Sequence, residues 1–264
     1  MLLRSPVQIL LTNDDGIYAP GLAAIREELV QLGDVEVVAP SSEQSGVGLS
    51  VTFLHPIMVE EERREDSHWG WAVAGSPVDC VKLGVLELCK PKPDLVISGI
   101  NSGMNAGINV LYSGTVAGAI EGAFFGIPSI AVSANTSRPA DYSRAAKLAV
   151  GLIKQMWERG LSEGELWNIN IPENRPEFPK GVKTTSLSLR RHNDVMKRRE
   201  DPRGRPYFWN FWNGLDPKQN HLLAPGTDVR ELAEGYITLT PLQFDITDSE
   251  AIEQNDGWSP NLPE

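Results

Sequence analysis

Two adjacent carboxylates, Asp14 and Asp15, follow a short apolar segment near the start of the sequence. Because Val7–Thr12 is predicted to be a buried strand, the pair lies at a carboxyl end, where open α/β sheets bind ligands. Neighbouring carboxylates repel each other and favour a compensating cation, and Gly16 permits a turn that could direct both to one point. The alternative is that Asp14 caps the following turn while Asp15 is solvated.

Two later loops carry oxygen groups that could reach the same edge of the sheet. Pro40–Gly46 is rich in serine and follows a predicted strand, although such stretches are usually plain loops. Ile97–Gly107 alternates glycine with asparagine, whose carbonyl oxygen is a neutral hard ligand. Because these segments offer oxygen ligands and no thiolate, they suit Mg²⁺ or Mn²⁺ better than zinc.

A predicted helix start completes the group of candidate segments. Ser113 fits an N-cap, and Gly114 and Thr115 fall in the first turn. Free backbone N–H groups and two hydroxyls at such a start can bind phosphate, although capping without a ligand explains the same residues. Three loops and one helix start therefore predict a metal site beside an anion pocket.

Composition and missing motifs exclude several other classes of protein. There is no G-x-G-x-x-G after the first strand, no P-loop motif and no G-x-S-x-G nucleophile motif. The two cysteines, Cys80 and Cys89, exclude a disulfide framework and are expected to be buried thiols, and the four histidines are scattered. A net charge of −11 argues against binding long nucleic acids. With no membrane-length apolar run and no signal-peptide cleavage site, we predict a cytoplasmic protein without a membrane partner.

Strand-like and helix-like segments alternate over the first two-thirds of the chain. This order predicts a Rossmann-like, doubly wound α/β fold, with a mainly parallel sheet and helices on both faces. Val51–Val73 is predicted to be a β-hairpin excursion. The other predicted elements are strands at Val7–Thr12, Val35–Ala39, Asp94–Ser98, Ser129–Ala134 and Leu166–Ile171, and helices at Pro20–Leu32, Val78–Leu88, Gly114–Phe125 and Tyr142–Arg159.

The character of the sequence changes after residue 172. We predict one domain, with a Rossmann-like core at 1–172, a C-terminal β-rich extension used in oligomerisation at 173–248 and a flexible tail at 249–264. The extension should contain strands at Lys180–Leu189 and Tyr236–Pro241 and a short helix at Thr227–Glu234. Between them lie a basic run, Arg190–Arg205, and an aromatic cluster, Tyr207–Trp212, which we expect to be buried against another subunit.

Several short motifs occur in order along nearly the whole chain. They are Leu11–Ile17, Glu43–Gly46, Gly75–Val81, Ser98–Asn101, Val110–Ala117, Asp201–Tyr207 and Gly226–Asp228 followed by Gly235 and Tyr236. Together they resemble the stationary-phase survival protein SurE family of 5′/3′-nucleotidases, and their number and order make the resemblance specific. One departure is Ile108–Asn109, where that family often has an acidic residue before Val-Leu-Tyr-Ser, so negative charge near the cleft is reduced.

The resemblance implies a cytoplasmic enzyme that hydrolyses nucleoside 5′- and 3′-monophosphates through a metal-activated water. It implies a dimer or tetramer formed by an exchanged C-terminal segment, and short polyphosphate as a further substrate. Two alternatives stay open, a non-catalytic nucleotide or phosphate sensor and a polyphosphate-cutting enzyme guided by the basic run. The residues implied are Asp14, Asp15, Ser45 and Asn101 around one Mg²⁺ or Mn²⁺ per subunit, with Asp14, Asp15 and Asn101 catalytic, and Ser113, Gly114 and Thr115 at the phosphate.

Overall fold

The computed structural model describes residues 6–136, 141–189, 194–212 and 223–258. Nine strands form one sheet in the order β3-β4-β2-β1-β5-β6-β7-β11-β8, and β9 and β10 form a separate antiparallel ribbon. The strands are β1 (Val7–Thr12), β2 (Gly33–Pro40), β3 (Val59–Arg64), β4 (Ser67–Val73), β5 (Leu95–Ser102), β6 (Ser129–Ala134), β7 (Leu166–Ile171), β8 (Val182–Thr184), β9 (Asp194–Glu200), β10 (Pro206–Trp212) and β11 (Ile237–Leu242).

Helices cover both faces of the sheet, which confirms the predicted Rossmann-like, doubly wound architecture. Alternate residues of β1 point to opposite faces, so Ile9 and Leu11 join one apolar cluster and Leu10 joins another. None of the helices in the described ranges is long and apolar enough to cross a bilayer. The helices are α1 (Pro20–Leu29), α2 (Pro77–Leu83), α3 (Gly114–Phe124), α4 (Asp141–Arg159), α5 (Asp228–Ala233) and α6 (Ser249–Gln254).

The central strands run in parallel and bring their following loops to one edge. Thr12 at the end of β1 pairs with Ser98 of β5. The loop after β2 is tied to the loop after β1, because the Gln44 N–H donates to the Asp14 carbonyl oxygen at 2.7 Å and the Ile17 N–H to that of Pro40 at 2.8 Å. Parallel register and these cross-loop hydrogen bonds therefore hold three predicted site segments together.

A predicted helix and a predicted hairpin differ in part from the structure. The helix expected at Val78–Leu88 is α-helical only to Leu83 and then widens to a π-helix at Gly84–Leu88, where Gly84 lies directly against the Leu10 side chain. Cys80 and Cys89, in and after this helix, are both buried free thiols, as predicted. The predicted hairpin is present as antiparallel β3 and β4, although it begins at Val59 rather than residue 51.

The strand predicted at Lys180–Leu189 is wrong over most of its length. Only Val182–Thr184 forms a strand, because the following backbone is bound by the α5 region instead of a strand ladder. The Ser188 N–H donates to the Asp228 carboxylate at 2.9 Å, and the Ser186 N–H donates to the Gly226 carbonyl oxygen at 3.1 Å. β8 and β11 nevertheless add to the central sheet beyond β7, so the extension continues the core sheet.

The structure describes parts of the predicted aromatic cluster and of the predicted tail. Tyr207, Phe208 and Trp209 are 43%, 59% and 63% exposed, so this chain does not bury them itself. The predicted flexible tail contains α6, which begins where the Asp248 carboxylate accepts the Ala251 N–H at 2.9 Å. An N-cap of this kind satisfies a backbone donor that would otherwise be left at the helix start.

Candidate active site

A cleft of about 800 Å³ lies at the carboxyl ends of the central strands. Four of the predicted site residues line it together: Asp14, Ser45, Asn101 and Ser113. They come from the loops after β1 and β2, from β5 and from the residue before α3. The fold thus brings together side chains that are up to 99 positions apart in the sequence, which is what a shared site requires.

Asp14 is almost completely buried and lies against the start of α3. Its Oδ1 accepts the Thr115 hydroxyl at 2.5 Å, and a side chain at Gly114 would place its Cβ 2.8 Å from the Asp14 Cβ. Glycine is therefore required at position 114 for this approach. Burial, reinforced by the charge of Asp15, raises the Asp14 pKa to about 6 against the opposing hydrogen bonds from Thr115.

Asp15 does not line the cleft but is tied to the last residue of β5, which does. Its Oδ2 accepts the Ser102 N–H at 3.0 Å, a contact across 87 positions. Burial raises the Asp15 pKa, and the Glu43 carboxylate adds to the rise, while the Ser102 N–H opposes it. The neighbouring Asn101 uses its Nδ2 to donate to the Gly103 carbonyl oxygen at 2.9 Å. The Asn101 Oδ1 is therefore the side-chain atom left to bind a ligand in the cleft.

The two predicted hydroxyl groups and the helix start have local partners. The Ser45 hydroxyl donates to the Glu43 carboxylate at 2.7 Å, which leaves its oxygen lone pairs for a further interaction. The Ser113 hydroxyl oxygen accepts the Val116 N–H at 3.1 Å, so Ser113 is the N-cap of α3 and also lines the cleft. Thr115 is fully buried, and its hydroxyl is directed to Asp14.

The chemistry of these donors fits a hard divalent cation. Asp14 lines the cleft together with the Asn101 carboxamide and the Ser45 hydroxyl, whereas Asp15 does not line it and is hydrogen-bonded to Ser102, the neighbour of Asn101. All four side chains offer oxygen ligands of the kind that Mg²⁺ and Mn²⁺ bind. Within the described ranges no three His, Cys, Asp or Glu side chains cluster closely enough to hold a metal. A cation here would therefore depend on the neutral oxygens of Ser45 and Asn101.

Asn105 is a site residue to which sequence reasoning gave no role. Its Nδ2 donates to the Ser133 hydroxyl at 3.0 Å and to the Thr115 hydroxyl at 3.4 Å. Its backbone carbonyl accepts from the Asn168 and Asn170 side chains at 2.7 and 3.0 Å. The sequence signal that could have pointed to Asn105 is the pair Asn168 and Asn170. Two asparagines at alternate positions of an apolar strand share one face and need hydrogen-bond partners when they are buried.

The ribbon formed by β9 and β10 also reaches the cleft, through Met196 and Asn210. The sequence indicated a basic run and an aromatic cluster here and singled out neither of these two residues. Among the described residues that line the cleft there is no lysine, arginine or histidine. His68, one of the four scattered histidines, contacts Glu61 at 2.9 Å and Glu36 at 2.8 Å and does not line the cleft.

Comparison with known proteins gives consistent similarities over most of the chain. The family model described as "Survival protein SurE" matches residues 9–194. Proteins named 5′-nucleotidase SurE are similar to it: that of Rhodopirellula baltica is 48% identical over 96% of this chain and 99% of its own, and that of Syntrophomonas wolfei 42% over 94% and 93%. The crystal structure of the SurE protein from Aquifex aeolicus superposes with a TM-score of 0.78 at 38% identity, covering 94% of this chain and 97% of its own.

Proposed function

The chain belongs to the survival protein SurE family, and from this membership and the geometry of its cleft we propose that it is a 5′-nucleotidase. In this proposal it hydrolyses nucleoside 5′-monophosphates, and 3′-monophosphates as well, to nucleoside and phosphate. Activity would depend on one divalent cation, Mg²⁺ or Mn²⁺, in each subunit. The relatives named 5′-nucleotidase SurE, which align over nearly the whole chain, support the reaction class.

The observation that carries the proposal is the contact between Asp14 and the start of α3. A buried carboxylate with a pKa near 6 lies against the first turn of a helix, in a cleft large enough for a mononucleotide. The helix start supplies the partial positive charge that a phosphate group requires. A carboxylate that would bind a cation is thus adjacent to a helix start that would bind a phosphate group.

Each site residue has a defined part in the proposed reaction. Asp14, Asp15, Ser45 and Asn101 would hold the cation. When bound, the cation would neutralise phosphate charge and lower the pKa of a water. Ser113 and the first turn of α3 would bind the phosphate oxygens, and Asp14 would orient the water that attacks phosphorus as the bond to the nucleoside oxygen breaks.

The lining of the cleft favours a mononucleotide over a polyphosphate chain. A substrate with many phosphates needs several cationic side chains, and the described residues of the cleft provide none. Part of the predicted basic run is also paired within the ribbon, since Arg198 contacts Glu200 at 2.8 Å and Arg205 contacts Asp201 at 2.7 Å. Arg190 and Arg191 lie outside the described residues. Short polyphosphate would therefore be a poor substrate.

Location and assembly are part of the same proposal. The proposal includes a cytoplasmic location and a homodimer or homotetramer. The assembly is supported by Tyr207 and Trp209, exposed aromatic side chains on one face of the ribbon that a second subunit would cover.

The direct test is phosphate release from adenosine 5′-monophosphate with Mg²⁺ or Mn²⁺, compared with the same protein in excess chelator. We expect turnover that requires the metal, a lower rate on the 3′-monophosphate and a much lower rate on short polyphosphate. Binding of the nucleotide without phosphate release under all metal conditions would favour the sensor alternative. Faster release from polyphosphate than from the mononucleotide would favour the polyphosphatase.

A further inference from the structure

The cleft extends well beyond the positions assigned to metal and phosphate. The phosphate end is defined by Asp14 and Ser113, and the rest of the roughly 800 Å³ must receive whatever group carries the phosphate. The walls of this second part combine apolar and carboxamide side chains. They are Met104, Ile108, Tyr112 and Met196, with Asn109 and Asn210.

This combination matches the chemistry of a nucleobase. The faces of a base are flat and pack well on apolar side chains, while its edge carries hydrogen-bond donors and acceptors side by side. A carboxamide offers both kinds of group, because its oxygen accepts and its nitrogen donates. A sugar phosphate without a base presents hydroxyl groups all round and would leave the apolar side chains Ile108 and Met196 poorly matched.

The ribbon places one apolar and one carboxamide group side by side. Met196 on β9 and Asn210 on β10 are directly opposite in the antiparallel register, so both side chains stand on the same face. Met196 is 66% exposed and therefore has most of its surface left for a ligand. Lys197 and Trp209, the next pair, stand on the opposite face.

The two strands of the ribbon are continuously paired, so Met196 and Asn210 keep a fixed position relative to each other. Its strands pair without a break from Pro206 opposite Glu200 to Trp212 opposite Asp194. At its tip, the Asp201 carboxylate accepts the N–H groups of Arg203 and Arg205 at 2.8 and 2.9 Å, which closes the turn. The Met196 and Asn210 side chains are therefore fixed relative to each other before a ligand binds, which lowers the cost of ordering them.

We propose that Met196 and Asn210 form the base-recognition subsite of the cleft: the Met196 thioether packs on the face of the nucleobase and the Asn210 carboxamide hydrogen-bonds to its edge. This inference rests on the proposed nucleotidase function and adds the residues that decide which nucleotide is used. The two side chains have different consequences. Packing on a face is similar for all bases, whereas hydrogen bonding to an edge depends on the base.

The experiment measures kcat/KM with Mn²⁺ for the four common ribonucleoside 5′-monophosphates and for ribose 5-phosphate, which has the same phosphate and sugar but no base. Met196→Ala should lower the ratio of nucleotide to ribose 5-phosphate by roughly tenfold for all four bases. Asn210→Leu keeps the branching of the side chain, in a larger group, and removes its hydrogen bonds, and it should change the order of preference among the bases. Lys197→Ala, on the other face, is the control and should keep the wild-type ratios.

The outcomes separate this inference from the proposed function. A wild-type protein that prefers nucleotides, with ratios altered only in the Met196 and Asn210 variants, supports the subsite. If the wild type hydrolyses ribose 5-phosphate as well as nucleotides, or if both variants keep its ratios, the subsite is overturned while the phosphatase activity stands. The subsite is also overturned if the Met196 or Asn210 variant loses activity equally on all substrates. The same conclusion follows if Lys197→Ala changes the ratio of nucleotide to ribose 5-phosphate as much as those variants do. No phosphate release by the wild type from any substrate overturns both proposals.

Discussion

Two buried aspartates, Asp14 and Asp79, lie at the starts of different helices, and their pKa values are shifted in opposite directions. The Asp79 carboxylate, at the start of α2, accepts the Thr52 N–H at 3.0 Å, the Thr52 hydroxyl at 2.7 Å and the Ser76 N–H at 2.9 Å. Burial alone would raise its pKa, but these hydrogen bonds outweigh burial and hold the pKa below the usual value. For Asp14 burial is the larger effect, and its pKa is about 6.

The difference indicates what each carboxylate is for. Asp79 is an internal structural anion: with Ser76 it forms a capping box, and it ties the loop containing Thr52 to α2. Asp14 lines the cleft, and its carboxylate has fewer hydrogen-bond donors than that of Asp79. A buried carboxylate of this kind is stabilised when a cation binds to it. The comparison predicts that substitutions should separate stability from activity at these two positions.

The largest effect is expected on activity at the Asp14 position. Asp14→Asn keeps the shape of the side chain and removes the charge that would hold the cation, so turnover should fall by roughly 10³-fold or more. The metal-free variant should be at least as stable as the wild type at neutral pH, because a buried charge is removed. Phosphate release with Mn²⁺ and thermal unfolding in chelator measure the two quantities. Turnover equal to that of the wild type would remove Asp14 from the active site.

Asp79→Ala should show the reverse pattern. The substitution leaves the Thr52 and Ser76 donors without their acceptor, and the free energy of unfolding should fall by about 3 kcal/mol. Turnover per folded molecule should stay within a few-fold of the wild type, because Asp79 does not line the cleft. Denaturant unfolding and initial rates at low temperature check this prediction. A fully stable but inactive variant would show that the comparison has assigned Asp79 the wrong role.

The positioning of Thr115 by Asn105 should have an intermediate effect. Asn105→Ala removes the donor to the Thr115 hydroxyl, so that this hydroxyl is less well oriented towards Asp14. We expect turnover to fall by about tenfold. The acid limb of the pH–rate profile should move to higher pH, because the Thr115 hydrogen bond is one of the interactions that lower the Asp14 pKa.

Asn135→Ala provides the control for this substitution. Asn135 is exposed just after β6 and does not line the cleft, so the same change there should leave both the rate and the pH profile as in the wild type. An Asn105→Ala enzyme that is slower without any shift of its pH profile would argue for a purely structural role.

The sequence was sufficient to predict the architecture and to indicate segments that the fold brings to one cleft, because both follow from local patterns. Short apolar runs alternating with amphipathic helices require a parallel sheet, and the Asp14 motif sits at the end of the first strand. Asp79 was visible within a family motif, but the sequence showed no function for it, since its donor Thr52 is 27 positions away. The roles of Met196 and Asn210 depend on where the ribbon packs, which local pattern does not determine.

The smallest effect that we expect is on the pH dependence of metal affinity. Because the Asp14 pKa of the metal-free protein is raised above 3.8, to about 6, its carboxyl group is protonated below that pH and a cation must displace the proton. The affinity for Mn²⁺, measured by calorimetric titration, should therefore fall about fivefold between pH 6 and pH 5 and change little between pH 7 and pH 8.

The same pKa determines how the stability of the metal-free protein should vary with pH. The contribution of Asp14 is fully present below about pH 3.8 and is lost as pH rises through 6, so the advantage of Asp14→Asn over the wild type should grow across that interval. Asp79 has a lowered pKa, and its contribution is instead lost in more acidic solution. A Mn²⁺ affinity that is constant from pH 5 to pH 7 would show that Asp14 does not bind the cation, and the contrast between the two aspartates would then need another explanation.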